Sequence, residues 1–311
     1  MNLKIATFNL FQFCNPNFSF YNKKDKLNPE IWEDKKEFIK EIILKSEAHI
    51  IGFQEVFSQN DLKELLNSIS YKYFICVEKP IFDESRKTFT STTLALASKF
   101  PIKDIYNCTL KNDFSFARKP IIAHFSIENK DFLFYLCHLK SNRLNEFEYS
   151  FTKDSSLEDK QNKLNLALKN NYSDSLKQRI NEAKALHFDI RSRKIPTILA
   201  GDLNDKEFSV TIEALTNRRF YNKNLEKDSY ILKDSYNLAP KKIYNPHPEF
   251  KGVKRVPTSY FIGYGNVLDF IFVSKEFKVL NHNVLDNHLQ KNKNGTLNTS
   301  DHALVVCEVT I

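Results

Sequence analysis

Closely spaced cysteines are missing from this sequence. It has five cysteines among 311 residues, spread from Cys14 to Cys307, and it contains no C-x-x-C. A disulfide framework or a zinc ribbon requires paired or clustered cysteines, so neither is expected. Reduced thiols in a cytoplasmic protein are the simplest interpretation.

Long apolar runs are missing as well. A membrane-spanning helix needs about 20 consecutive apolar residues, and a secretory signal needs an apolar stretch near its start. Neither is found, and the first ten residues read directly as a strand. Internal repeats and low-complexity linkers are also absent. Because 311 residues are near the upper limit for one hydrophobic core, we expect a single domain over residues 1–311. We also expect the protein to be monomeric and cytoplasmic.

Acidic residues are outnumbered. The chain has 46 Lys and Arg against 38 Asp and Glu, which gives a net charge of +8. Such a surplus suits an anionic partner, namely nucleic acid, a phosphorylated metabolite or an anionic membrane. A general bias toward lysine explains the charge nearly as well, so both interpretations stay open.

Strand-like and helix-like patterns alternate along the chain. Apolar runs predict strands at 3–10, 50–53, 92–97, 121–127, 132–139, 197–200, 267–273 and 303–309. Helices are predicted after Asn28 and after Asn60, which could act as N-caps, and over Leu176–Ile190. A polar insertion, partly helical, is predicted at about 142–175, and a basic loop region at Lys206–Arg255. Strands and helices in separate layers of one domain fit this pattern.

Polar residues stand at the ends of the apolar runs. They are Asn9, Glu55, His138, Asp202, Asn204, Asp269, Asp301 and His302. If those strand ends lie on one edge of packed sheets, the side chains meet in a cleft and are held there precisely. Each residue alone has an ordinary explanation, such as a strand-end cap or a solvated acid. Their order and placement together favour a site.

The chemistry of this set favours a hard divalent cation. Oxygen ligands select Mg²⁺ or Mn²⁺, and Glu55 and Asp301 could supply the carboxylates. In phosphoester hydrolysis the metal stabilises developing charge while a base orients water. Asp202 and Asn204, two apart in an extended segment, would face the same side. Asp269 would keep the His302 imidazole charged.

Six short motifs resemble those of the endonuclease/exonuclease/phosphatase superfamily. They are T-F-N-L (7–10), Q-E-V (54–56), C-H-L-K-S (137–141), G-D-L-N-D (201–205), L-D-F-I-F-V-S (268–274) and S-D-H-A-L-V (300–305). The resemblance runs in the family's order over nearly the whole chain. It implies an α/β fold, a four-layer sandwich of two packed mixed β-sheets flanked by helices. It also implies Mg²⁺-dependent attack of water on phosphorus, with Mn²⁺ as a possible substitute.

The resemblance also implies a role for each residue at the strand ends. Glu55 resembles the main metal ligand, with Asn9 beside it, and Asp301 looks like a second acidic metal contact. Asp202 resembles the group that activates water, and Asn204 its phosphate-binding neighbour. Asp269 resembles the residue that orients His302, the final histidine. His138 looks like the second histidine, which contacts the phosphate or assists the leaving group.

Two cationic residues are candidates for binding the substrate phosphate. Arg118, in F-A-R-K-P-I-I, resembles an arginine of deoxyribonuclease I-like members that meets the phosphate. Lys140 lies two residues after His138 and could face the same group. A solvated surface position is the alternative for each of them.

The substrate is not determined by the fold. The first hypothesis is a nuclease that cleaves DNA phosphodiesters, with the basic region Lys206–Arg255 along the phosphate backbone. The alternative is a phosphatase or phosphodiesterase for a small phosphorylated molecule or a lipid headgroup. A binding module that has lost catalysis is disfavoured, because every catalytic position that can be identified is filled.

Overall fold

The computed structural model describes residues 2–22, 25–108, 115–142, 151–240, 255–261, 264–291 and 298–311. The strands are β1 (Asn2–Phe13), β2 (Ser19–Phe20), β3 (Ile50–Val56), β4 (Tyr73–Ile75), β5 (Phe82–Asp83), β6 (Thr88–Phe89), β7 (Thr93–Ser98), β8 (Asp104–Tyr106), β9 (Ile121–Ile127), β10 (Lys130–His138), β11 (Thr197–Asp202), β12 (Lys233–Asp234), β13 (Ser259–Phe261), β14 (Tyr264–Asn266), β15 (Asp269–Val273), β16 (Lys278–Leu285) and β17 (Leu304–Thr310). The helices are α1 (Pro29–Ser46), α2 (Gln59–Ser68), α3 (Leu157–Lys169), α4 (Asp174–Arg193), α5 (Val210–Thr216), α6 (Ser235–Leu238) and α7 (Asn287–Lys291).

Two six-stranded mixed sheets form the centre of the fold. The first has the order β16-β17-β1-β3-β7-β4, and the second has the order β12-β15-β11-β10-β9-β8. Each contains one central parallel pair, β1 with β3 and β10 with β11. Their other neighbours are antiparallel. Two small sheets, β2-β6-β5 and β13-β14, are separate from them.

Three apolar layers explain how the sheets and helices stack. Along β10, Phe134 faces the first sheet, while Tyr135 faces α4, as the two-residue period of a strand requires. The layer between the sheets includes Leu96 and Ile271. The first sheet packs its other face on α1 and α2, and the second sheet packs on α3, α4 and α5. The result is the expected four-layer sandwich.

The register of the strands brings their polar ends to one edge. Asn9 pairs with Gln54 across β1 and β3. In the second sheet Asp202 lies opposite both His138 and Asp269. Gly201 permits the close approach of β11 to β10, because a Cβ atom there would lie 1.9 Å from the Cys137 carbonyl oxygen. Its φ of +151° also disfavours any other residue.

Helix α1 begins as the sequence predicts. The Asn28 side chain caps it by accepting from Ile31 N at 2.7 Å, and Pro29 occupies the first helical position. The predicted cap of α2 was wrong, because that helix begins at Gln59 with Ser58 at the cap position, so Asn60 lies inside it.

The two regions without clear strand patterns contain helices. The polar insertion holds α3, although residues 143–150 lie outside the described residues. The region Lys206–Arg255 is not simply a loop, because it contains α5, β12, α6 and a 3₁₀-helix at Arg218–Phe220. The basic residues predicted at 241, 242, 251 and 254 lie outside the described residues. No described helix is long and apolar enough to cross a membrane.

Candidate active site

Asn9 links the polar ends of the two sheets. Its side-chain Nδ2 donates to Asp202 Oδ2 at 3.0 Å and lies 3.4 Å from Glu55 Oε1. Asp202 belongs to the second sheet, whereas Asn9 and Glu55 belong to the first. One amide group therefore orients two carboxylates that are 147 positions apart in the sequence.

Glu55 lies where the strand register shifts, both between β1 and β3 and between β3 and β7. The register shifts between Asn9 and Phe13 on β1, and between Phe53 and Val56 in the pairing of β3 with β7. Glu55 adopts a φ of +59°, and Gln12 N donates to its Oε2 at 3.1 Å. Left-handed backbone is uncommon for such residues and is often found at functional sites. Here it turns the carboxylate toward Asn9.

His302 and Asp269 form a buried pair. The His302 Nδ1 and Asp269 Oδ2 atoms lie 2.7 Å apart. Burial opposes charge on this imidazole, but the carboxylates of Asp269, Asp301 and Asp202 together raise the pKa of His302 well above its ordinary value. His302 Nε2 is 3.9 Å from both Asp202 Oδ2 and Asp301 Oδ1. The ring is therefore an imidazolium whose second N–H points into the carboxylate cluster.

Asp202 stands at the centre of the cluster. Its side chain is buried, and its Oδ2 lies 3.4 Å from His138 Nε2. Burial raises the pKa of Asp202 to about 7, although the nearby His302 charge opposes this shift. A carboxyl group with a pKa near neutrality is suited to accept a proton from water.

Asn204 reaches the site through a tight turn. Its backbone N donates to Asp202 Oδ1 at 2.8 Å, and its φ is +50°. The extended segment predicted for Asp202 and Asn204 was therefore wrong, because the Asp202 side chain closes a local turn instead. The Asn204 side chain donates to the Leu139 carbonyl at 3.1 Å, which fixes it beside the end of β10.

Two carboxylate oxygens of the cluster lack a hydrogen-bond donor among the described residues. Asp301 Oδ1 and Asp269 Oδ1 are buried without a hydrogen bond among the residues that the structure describes. The pKa of Asp301 is raised to about 6, mainly by burial; the His302 charge opposes this rise and the Glu55 charge adds to it. Buried polar atoms in proteins almost always have a partner. A divalent cation between Glu55 and Asp301 would supply one and offset the repulsion of the two carboxylates.

A second ligand set is geometrically possible. Asp202, Asp269 and His302 offer ligand atoms within 4.8 Å of one another. However, Asp269 Oδ2 and His302 Nδ1 already contact each other at 2.7 Å. Glu55, Asp301 and Asn9 would instead offer carboxylate and amide oxygens, which are the ligands that a hard cation such as Mg²⁺ prefers.

Arg118 and Lys140 lie on loops beside His138. The Arg118 guanidinium donates to the Leu139 carbonyl at 3.0 Å and lies 3.4 Å from Ser141 Oγ. Burial lowers the pKa of His138 well below its ordinary value, and the charges of Arg118, His302 and Lys140 lower it further. His138 is therefore a neutral imidazole bordered by two cations. The structure brings both candidate phosphate-binding residues to the edge of the cluster.

Glu182 on α4 organises those loops, and the sequence analysis missed it. Its carboxylate accepts from Ala117 N at 2.7 Å and from Lys140 N at 2.9 Å. It is buried, although glutamate is rarely buried without partners. Its position within the apolar stripe of α4, between Ile180 and Ala183, was the available signal.

Lys35 on α1 was missed for the same reason. It is completely buried, and its Nζ donates to the Thr299 carbonyl. Burial lowers the pKa of Lys35 to about 7, against the raising effect of Asp301 and Glu55. Lys35 lies between Trp32 and Ile39 on the buried face, so the helical spacing already marked it as inward-facing.

Known proteins share this fold. The human Nocturnin catalytic domain, solved with a bound sulfate anion, aligns with a TM-score of 0.58 and 18% identity, over 99% of this chain and 93% of that chain. A mannosyl-6-phosphatase from Bacteroides thetaiotaomicron aligns with a TM-score of 0.55 and 18% identity, over 99% and 100%. A family protein from Leptotrichia buccalis gives a TM-score of 0.52 and 21% identity, over 99% and 100%. No curated protein matches the sequence.

A family model matches as well, and it gives the classification. The model of the endonuclease/exonuclease/phosphatase family covers residues 6–302. This span includes every strand-end residue described above, from Asn9 to His302. The chain therefore belongs to the endonuclease/exonuclease/phosphatase family, whose members are phosphoester hydrolases and generally depend on a divalent metal.

Proposed function

We propose that this protein hydrolyses the phosphodiester bonds of DNA with Mg²⁺ as its cofactor and Mn²⁺ as a possible substitute. The observation that carries the proposal is the buried cluster in which Asp202 lies near both histidines, with Glu55 and Asp301 at its edge. Glu55, Asp301 and Asn9 would hold the metal, which supplies positive charge at the phosphate when it is bound.

Asp202 is proposed as the base. Hydrogen bonds from Asn9 and Asn204 keep its carboxylate in one orientation. Because its pKa is raised to about 7, the ionised carboxylate can accept a proton from the attacking water near neutral pH. Orientation and proton acceptance together would aim the water at the phosphorus atom.

The cations and the amide are proposed to hold the phosphate. The His302 imidazolium, kept charged by Asp269, would donate from Nε2 to a phosphate oxygen. Asn204, Arg118 and Lys140 would share the two non-bridging oxygens of the phosphodiester with His302. His138, neutral and next to Asp202, would contact the leaving-group side of the phosphate.

Two observations support DNA as the substrate. The net charge of +8 favours a polyanion. In addition, Tyr21 is 45% exposed, and the charges of Glu55 and Arg118 both act on it, so an aromatic surface lies near the phosphate-binding residues. Exposed aromatic rings beside cations are typical surfaces for stacking bases.

A small phosphorylated molecule is the second candidate. The structural neighbour from Bacteroides thetaiotaomicron is named a mannosyl-6-phosphatase, and the alignment spans all of that chain. Arg118 and Lys140, both close to His138, could bind one terminal phosphate as readily as an internal one. A lipid headgroup falls under the same candidate, because it would present the same phosphate chemistry.

An activity panel tests the proposal. Supercoiled plasmid, abasic duplex, RNA, sphingomyelin, inositol phosphates and mannose 6-phosphate would each be incubated with Mg²⁺ and with EDTA. We expect nicking of the plasmid that EDTA abolishes and that falls steeply with added salt, because phosphate contacts release counterions. Full activity on a short phosphomonoester with a flat salt response would favour the second candidate. Undiminished turnover in EDTA would contradict the proposed use of a metal.

We also propose that the protein acts in the cytoplasm. All five cysteines are free in the structure, and Cys14, Cys137 and Cys307 are buried. Free thiols persist in a reducing compartment. Localisation by fractionation of the source cells would test this.

A further inference from the structure

The buried ammonium of Lys35 has an unusual position. Burying a charged lysine is unfavourable unless opposite charges or hydrogen bonds compensate it. Its neighbours along the buried face of α1, Trp32 and Ile39, are apolar. The compensation must therefore come from outside the helix.

The ammonium lies between two segments that carry proposed metal ligands. On one side, Nζ donates to the carbonyl of Thr299, two residues before Asp301. On the other side, Nζ lies 5.7 Å from the centre of the Phe11 ring. Phe11 follows Asn9 by two residues, and its backbone N donates to Asn9 Oδ1 at 2.9 Å.

The charges around Lys35 belong to the proposed metal site. Among the described residues, the charges of Asp301 and Glu55 act on Lys35, and Lys35 in turn favours the ionised form of Asp301. Two carboxylates that converge without a cation repel each other. Below its pKa of about 7, the Lys35 ammonium reduces that repulsion.

We propose that Lys35 is an internal counter-cation for the Glu55–Asp301 pair: it reduces the repulsion between the two carboxylates in the metal-free protein and weakens the binding of the divalent metal. This inference rests on the proposed metal site. The two effects share one physical cause, because a charge that compensates the carboxylates before the metal arrives repels the metal afterwards. Lys35 is thus a positioning and tuning residue that does not touch the substrate.

The test compares Lys35→Met with wild type in two measurements. Mn²⁺ binding would be measured by calorimetry on the full chain, and thermal unfolding would be followed in EDTA and in Mn²⁺. We expect Lys35→Met to bind Mn²⁺ about tenfold more tightly and to gain a larger increase in unfolding temperature from Mn²⁺ than wild type does. An equal change in unfolding temperature with and without Mn²⁺, or Mn²⁺ binding that is unchanged or weaker, would overturn the proposal.

Lys36→Met is the matched control. Lys36 neighbours Lys35 on the same helix and has the same charge, but its side chain is 30% exposed and pairs with Glu33 at 2.8 Å. This variant should bind Mn²⁺ as wild type does. A comparable tightening would mean that net charge alone, rather than the buried position, controls the affinity.

A double-mutant cycle on the metal-free protein separates this inference from the proposed function. In EDTA, Glu55→Gln removes one carboxylate that attracts Lys35, so Lys35→Met should be less destabilising, or more stabilising, in the Glu55→Gln background than in wild type. Additive effects would overturn the counter-cation role even if the metal site is correct. Conversely, wild type that binds no Mn²⁺, or Glu55→Gln that binds it unchanged, would contradict the metal site itself. If Lys35→Met does not fold in either buffer, Lys35→Gln, which keeps a donor for Thr299, undergoes the same cycle.

Discussion

Two buried acidic centres lie close to residues 139–141, and they differ in how completely their oxygens are hydrogen-bonded. Both oxygens of Glu182 accept hydrogen bonds, from Ala117, Lys140 and Gln178. At the strand ends, Asp301 and Asp269 each keep one buried oxygen without a hydrogen bond from any described residue. Leaving a buried acceptor unsatisfied costs about 1–3 kcal/mol. We infer that the Glu182 centre supports the structure, whereas the strand-end cluster, formed by Glu55, Asp202, Asp269 and Asp301, is organised for a ligand.

The strongest test of this comparison is Asp202→Asn. We expect turnover to fall by about 10³-fold, because the amide cannot accept the proton from water. Stability should stay the same or rise, since the substitution removes a buried carboxyl whose pKa is raised to about 7 by burial. Steady-state kinetics on the preferred substrate and thermal unfolding in EDTA would measure both effects. A loss of activity below tenfold would remove Asp202 from the catalytic role.

Glu182→Ala should behave in the opposite way. It removes the acceptor for the backbone N–H groups of Ala117 and Lys140, so we expect a loss of about 2–4 kcal/mol in the free energy of unfolding. Urea titration would measure this. The control is Glu37→Ala, whose side chain is 60% exposed and which should cost less than about 0.5 kcal/mol. If Glu182→Ala leaves stability unchanged but abolishes chemistry, the distinction between the two centres fails.

Arg118→Ala should have a smaller effect, and we expect it to weaken substrate binding. A charge-assisted hydrogen bond is worth about 1.5–3 kcal/mol, and Arg118 also holds the Leu139 carbonyl at 3.0 Å. We therefore expect KM to rise about tenfold or more while the fold is retained. Arg86→Ala, which removes an exposed arginine paired with Asp83, is the control and should leave KM unchanged. Equal effects of the two variants would place Arg118 among ordinary surface residues.

The pH dependence of stability provides the finest test. Because the pKa of Asp202 is raised from 3.8 to about 7, the folded state binds this proton more tightly than the unfolded state does. The free energy of unfolding must then fall as the pH rises from 3.8 to about 7, by roughly 1 kcal/mol per pH unit for this one group. Urea titrations of the metal-free protein between pH 4 and about 7 should therefore show a steeper decline in wild type than in Asp202→Asn. If the wild-type and Asp202→Asn curves of stability against pH are parallel, the pKa of Asp202 is not raised in the folded protein.

The sequence predicted the strands of the site because their signal is local. The apolar run of β10 that ends at His138 and the run of β11 that ends at Asp202 are visible without knowledge of the partner strands. The four-layer sandwich itself came from the family resemblance. Short strands such as β4 and β12, with three and two residues, carry too little pattern to be predicted and form only because a neighbour offers an edge.

Supporting residues were harder to predict than site residues. Lys35 and Glu182 lie on helices whose average pattern is amphipathic, and a single inward-facing charge is lost in that average. The Asn204 turn was missed because it depends on a side-chain hydrogen bond to Asp202. The limits of the polar insertion at 142–175 and the single domain over residues 1–311 stay predictions.

Gly201 should be essential for activity although it carries no side chain that could take part in the reaction. With the Cys137 carbonyl only 1.9 Å from where a Cβ would stand, even Gly201→Ala must separate the two parallel strands whose last residues are His138 and Asp202. Activity would then disappear although no chemical group had been removed. In a saturation library, every replacement of Gly201 should abolish activity. That result alone would suggest a catalytic role, although Gly201 only sets the spacing between β10 and β11.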